Sequence, residues 1–154
     1  PRKAPLNAIA LRCSAAAAAL ILLAGCAATT RFESPSEGSR LAVRGYSSDA
    51  LPRTERLSSK ATGQHEFKAI SADGDALYGI LPLRVSGGKM AGSILFFAPA
   101  LFIGGFRDVF PYYEIDADAG VVRYRSKDEK NWRIYTPTEA EQARAREWFE
   151  RTSG

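Results

Sequence analysis

The first 25 residues decide how much of this 154-residue chain is free to build a fold. Residues 1–12 carry Arg2, Lys3 and Arg12 and no acid, and residues 13–24 (CSAAAAALILLA) carry no charge. A basic start followed by an apolar run of this length has the layout of an export signal. A membrane span needs about 20 apolar residues, and this run is shorter. It closes on Leu23-Ala24-Gly25-Cys26, two small residues and a thiol that leave the backbone open to a protease. Residues 1–25 are therefore expected to be a signal peptide that takes no part in the fold. The chain opens on Pro1, so either its true start is expected upstream or the initiator has been dropped.

Leu23-Ala24-Gly25-Cys26 resembles the lipobox of bacterial lipoproteins, placed behind a basic start and an apolar core as in that family. The resemblance implies that the Cys26 thiol carries diacylglycerol, that the Gly25–Cys26 bond is cut, and that the new amino terminus is acylated, as with palmitate. Several acyl chains, at about 0.8 kcal/mol per buried methylene, hold a domain at a membrane durably. Ala27 follows the cysteine where an aspartate would retain an enteric-type lipoprotein at the inner membrane. By that likeness the expected location is the cell envelope, at the periplasmic face of the outer membrane.

The net charge of +4 belongs largely to the signal. Without its three cations, 18 Lys+Arg face 17 Asp+Glu, so the balance offers no basis for nucleic-acid binding. Both cysteines are absorbed as well, since Cys13 lies in the signal and Cys26 would be lipidated. The remainder has no thiol for a disulfide, a nucleophile or a Cys-type metal site.

Residues 26–40, small, polar and bearing Pro and Gly, read as a tether. Residues 41–154 read as one small α+β domain: an antiparallel β-sheet closed by a C-terminal amphipathic helix. Leu41–Arg44 suggests a strand, and residues 46–63, without clear period, a loop. Gln64–Ser71 and Ala76–Val85 flank the turn residues 72–75, with Pro82 disturbing the second strand. Residues 112–116, 121–125 and 131–135 form an aromatic, β-branched meander with Trp132 and Ile134 on one face. Thr136-Pro137-Thr138-Glu139 starts the helix, with a capping Thr, a Pro in the first turn and a Glu to bond back. Ala145, Trp148 and Phe149 form its apolar stripe.

Residues 91–106 (AGSILFFAPALFIGGF) are uncharged and bracketed by Lys89 and Arg107. A straight span would be short and broken by Pro99, and a buried element would need more domain to cover it. A hairpin or re-entrant loop breaking at Pro99 and Gly104-Gly105 is the third reading. Ile94, Leu95, Phe96, Phe97, Leu101, Phe102, Ile103 and Phe106 are then the expected membrane or partner contacts. In that case Phe106, Phe110, Tyr112 and Tyr113 would sit at headgroup depth.

No catalytic set stands out. His65, the single histidine, is expected at the surface, facing away from its neighbour Glu66. Asp73-Gly74-Asp75 and Asp116–Gly120 approach calcium-loop spacing but lack the remaining ligands, so turn chemistry is expected and no metal. Gly87-Gly88-Lys89-Met90 lacks the first glycine and the Ser/Thr of a phosphate loop. No enzyme and no cofactor are therefore expected. The role implied is binding or structural, with membrane lipid and another envelope protein as partners. Two alternatives stay open: a subunit of an envelope secretion or transport complex docking through 91–106, and a small hydrolase using Asp116 and Asp118.

Residues 33–45 (ESPSEGSRLAVRG) resemble the Ser-x-Pro-x-Gly-Ala start of PEGA-type β modules in bacterial surface lipoproteins. That resemblance implies a small β-sandwich-like accessory domain without catalytic residues. An extra residue stands between Pro35 and Gly38, and Ser39 and Arg44 replace the usual small and acidic positions.

Overall fold

The computed structural model describes residues 27–60, 63–85 and 107–152. Gly25, Cys26 and the apolar segment, with Ile94, Leu95, Phe96, Phe97, Leu101, Phe102, Ile103 and Phe106, lie outside the described residues, as does Gly87-Gly88-Lys89-Met90. The described residues form an α+β fold, mostly antiparallel strands with one helix at the end.

Strands β1 (Ala27–Glu33), β4 (Arg53–Ser58), β9 (Tyr112–Asp116), β10 (Val121–Arg125) and β11 (Arg133–Tyr135) make one sheet in the order β11-β10-β9-β1-β4. Strands β2 (Arg40–Val43), β3 (Asp49–Ala50), β5 (Glu66–Ile70) and β6 (Ala76–Ile80) make a second sheet, β3-β2-β5-β6. Strands β7 (Leu83–Val85) and β8 (Arg107–Val109) pair as a short ribbon. Helix α1 spans Glu139–Thr152.

The expected tether is corrected. Ala27–Glu33 is an interior strand, parallel to β9 on one side and antiparallel to β4 on the other. Its alternation is real but carried by few residues: Thr30 and Phe32 are buried while Thr29 and Arg31 are exposed. Phe32 stacks on Tyr113 at 5.3 Å, so the neighbouring strand supplies the apolar area that β1 itself lacks. The loop expected over 46–63 likewise contains β3 and β4. In β4, which borders the sheet, Leu57 is buried and Arg56 exposed, while the Arg53 side chain, 9 % exposed, pairs with Asp49.

Alternation decides the layers. The inward residues Phe32, Tyr113, Ile115, Val122 and Tyr124 of the first sheet share a core with Leu41, Val43, Phe67, Ala69 and Leu77 of the second. The far face of the second sheet receives α1, where Phe149 meets Tyr78 and Ala145 is buried. Phe110 and Tyr113, expected at headgroup depth, are 2 % and 0 % exposed in the core. The Tyr113 hydroxyl accepts the Phe110 N–H at 2.9 Å and donates to the Pro82 carbonyl at 2.5 Å, which lets a phenol sit there. Burial raises its pKa.

The strand expected over 76–85 divides at Leu81-Pro82 into β6 and β7. Proline has no N–H for the ladder, and the two halves join different partners. The helix start is shifted by two residues. Thr138, not Thr136, is the cap: Glu141 N–H donates to Thr138 Oγ1 at 3.3 Å, and Thr138 N–H donates to Glu141 Oε2 at 2.6 Å. Both Thr-x-x-Glu registers fit the sequence. Pro137 selects the later one by packing over Gly79, where a Cβ would stand 2.8 Å from the proline ring. Pro137 thus precedes the helix instead of opening it.

Candidate functional site

The most concentrated chemistry lies at the end of the sandwich where β1 begins. Ala27 pairs with Ser58, and two residues later Lys60 and Arg107 exchange backbone hydrogen bonds of 2.8 Å in both directions. Arg107 pairs in turn with Val85 across the ribbon. Ala27, and Val85 and Arg107 on either side of residues 86–106, therefore lie at one end of the domain. Arg107 is 4 % exposed, and its guanidinium donates to the Gly63 carbonyl at 3.2 Å. Ser59 donates from its hydroxyl to the Asp108 carboxylate.

The second sheet contributes to the same end. Tyr46 Oη accepts the Ser58 N–H at 2.9 Å, and His65 Nε2 lies 3.0 Å from the Ser58 carbonyl. Since a carbonyl only accepts, Nε2 carries the proton. The surface histidine expected at 65 is corrected: His65 is 1 % exposed, with its ring 6.4 Å from that of Tyr46. Desolvation is the largest influence on it, and with nearby Lys60 it outweighs the Ser58 hydrogen bond, lowering its pKa to about 4. The neutral imidazole is what this site holds. Nε2 is satisfied by the Ser58 carbonyl, while the buried Nδ1 has no hydrogen-bond partner among the described residues.

Glu66 does face away from His65, as the strand period requires, but it too is buried, at 1 %. Its Oε1 lies 3.1 Å from Arg44 Nη1 and 3.4 Å from Arg144 Nη2. One acid thus ties strand, sheet and helix together, while the Arg44 guanidinium lies 5.2 Å over the Trp148 ring. Nothing in the sequence marked Glu66 as the point where α1 docks. The signal available was a single carboxylate in β5, whose other charged residue is Lys68.

The opposite end is built from three turns, 34–39, 71–75 and 116–120. Ser36 donates to Asp118 Oδ2 at 2.6 Å, and the Ser36 and Ser71 hydroxyls hold that carboxyl below its ordinary range. Asp116 Oδ1 accepts the Ala119 N–H at 2.9 Å, and its other oxygen is 3.7 Å from Arg123. The two carboxylates considered for hydrolysis thus engage separate partners in a hairpin turn. A general acid requires a raised pKa, and Asp118 is shifted the other way. Gly120, at φ 68°, supplies the left-handed turn position, in keeping with the expected turn chemistry.

The outer face of the first sheet carries a third cluster. The Arg125 guanidinium lies 4.7 Å from the Tyr112 ring centroid and 4.9 Å from that of Trp132, and Ile134 is 68 % exposed. Among the described residues no group of three or more His, Cys, Asp or Glu is placed to hold a metal ion. Among them too, no helix is long and apolar enough to cross a membrane. Compared with family models, with curated proteins and with solved structures, the chain matches none.

Proposed function

We propose that the protein is a lipid-anchored bacterial envelope lipoprotein with a binding or structural role and no catalysis, held through an acylated Cys26. The observation that supports this reading is the convergence of Ala27, Ser58, Lys60, Arg107 and Val85 at one end. An anchor at Cys26 would place that end, and with it both flanks of residues 86–106, at the bilayer. The domain would sit close against the membrane, because β1 starts one residue after the cysteine. Val85 and Arg107 are paired, whereas the flanks of a straight crossing stand about 30 Å apart. That pairing supports a segment that returns to its own end of the domain, whether as the re-entrant or hairpin element or as one buried against protein.

Mass spectrometry of the mature N-terminal peptide tests the anchor directly. The expected result is a diacylglycerol-modified Cys26 and a Cys26→Ser variant that leaves the membrane fraction. An unmodified, freely soluble wild-type protein overturns the reading.

A second reading, subunit of an envelope secretion or transport complex, is supported by Ile134 beside the Tyr112–Arg125–Trp132 stack. Aromatic and arginine side chains of this kind carry much of the binding energy of protein interfaces. Co-purification in mild detergent distinguishes the two. Loss of a partner on deleting 91–106 or on Trp132→Ala favours the complex, and unchanged partners remove it.

A further inference from the structure

The charges of the described residues are sorted along the strand direction. At the end where β1 begins, the contacts given above gather Arg44, Lys60, Arg107 and Arg144, and Arg84 stands opposite Asp108 in the ribbon. The carboxylates at that end are Glu66, Asp108 and, in the β10–β11 turn that also carries Lys127 and Lys130, Asp128 and Glu129. Arg44, Lys60, Arg84 and Arg144 keep part of their surface in solvent. At the other end the turns carry Glu37, Asp73, Asp75, Asp116 and Asp118, with Glu33 at the end of β1. The Ser36–Asp118 bond joins two of those turns, and the third lies close by, since a Cβ added at Gly38 would stand 3.6 Å from the Ala72 Cβ. Arg31, paired with Glu33 at 2.5 Å, Arg40 and Arg123 are the cations beside them.

We propose that this polarity orients the domain on an anionic phospholipid leaflet, with the Lys60–Arg84 end against the headgroups and the acidic turns facing water. This inference rests on the anchoring reading for its geometry, since Ala27 opens at the cationic end. The distances favour it. The seven residues of β1 span roughly 20 Å, while the Debye length at physiological salt is about 8 Å. Cations at the near end feel the leaflet's surface potential, and acids two screening lengths away do not. Lysines and arginines at a membrane surface are attracted individually and within a Debye length. An acyl anchor combined with a basic patch is a two-signal arrangement that fixes orientation as well as residence.

Hydrogen exchange of the full acylated protein tests the orientation. The protein is reconstituted in vesicles containing phosphatidylglycerol and, separately, in vesicles of phosphatidylcholine alone. Exchange at 56–60 and 63–66 is expected to slow on the phosphatidylglycerol vesicles, with turns 34–39, 71–75 and 116–120 unchanged. Lys60→Glu with Arg84→Glu should cut that difference roughly tenfold or more, and the neutral pair Lys60→Gln with Arg84→Gln by less. Urea midpoints like that of the wild type show that both variants are folded. Equal protection on the two vesicles with Cys26 acylated overturns the orientation and leaves the anchor standing. If Cys26 is instead unmodified, salt-sensitive flotation of the chain with phosphatidylglycerol vesicles upholds the charge inference while the anchor fails. Salt-insensitive flotation, or none, overturns both.

Discussion

Arg144 Nη2 lies 3.4 Å from Glu66 Oε1, so an ion pair whose acid is 1 % exposed joins the C-terminal helix to the second sheet. Arg44 shares the same oxygen, and the two arginines are 46 % and 49 % exposed. The pair is lopsided: water solvates the cations alone but not the carboxylate.

Removing opposite sides of that cluster should therefore have unequal effects. Glu66→Gln is expected to cost about 1 kcal/mol, because both guanidinium groups retain water and the amide keeps an acceptor. Arg44→Ala with Arg144→Ala should cost about 3 kcal/mol or more, because it strands a buried anion. Urea unfolding measures both, and equal losses would refute the asymmetry.

Gly79 has no room for a side chain. A Cβ there would meet the Phe67 ring and Pro137 at 2.8 Å. Gly79→Ala should lower stability by about 1–3 kcal/mol through overpacking. The additional substitution Phe67→Leu should recover part of the loss, read as a rise in the thermal midpoint.

His65 makes the fold acid-sensitive. Its folded pKa, lowered to about 4, lies below the ordinary 6.5, so the unfolded chain binds the proton more readily. The stability held by the neutral ring is complete above about pH 6.5 and is lost as pH falls from there toward 4. The loss is on the order of 3 kcal/mol across that window. Stability curves of wild type and His65→Gln should converge on acidification, and parallel curves would show that His65 does not titrate in this range.

The cap at Thr138 gives a local test. Its Oγ1 accepts the Glu141 N–H and its own N–H donates to the Glu141 carboxylate. Thr138→Ala should cost about 1 kcal/mol, whereas Thr136→Ala should cost almost nothing. A larger effect at 136 would restore the earlier register.

Much of the second half of the fold was legible in order. The meander over 112–116 and 121–125 has the observed bounds because alternation of large apolar residues with charged ones states both the strand and its buried face. The opposite facing of His65 and Glu66 was also readable, since side-chain period is a backbone property. Their burial was not, because it depends on Ser58 and Tyr46 on one side and on Arg44, Arg144 and Trp148 on the other. Each of those partners is distant in sequence or belongs to another element.

By itself the sequence determined the strands and turn of 66–80, the hairpin of 112–125 and a C-terminal helix with a Thr-x-x-Glu start. These follow from side-chain volume, glycine freedom and capping within a few residues. Tertiary structure decided which of two capping registers was used, because Pro137 had to pack on Gly79. It also decided that Ala27–Glu33 is an interior strand, although its composition resembles a linker. A strand with two inward side chains is stable only where Tyr113 and Leu57 supply the apolar surface from either side. Those neighbours come from parts of the chain that local pattern cannot bring together.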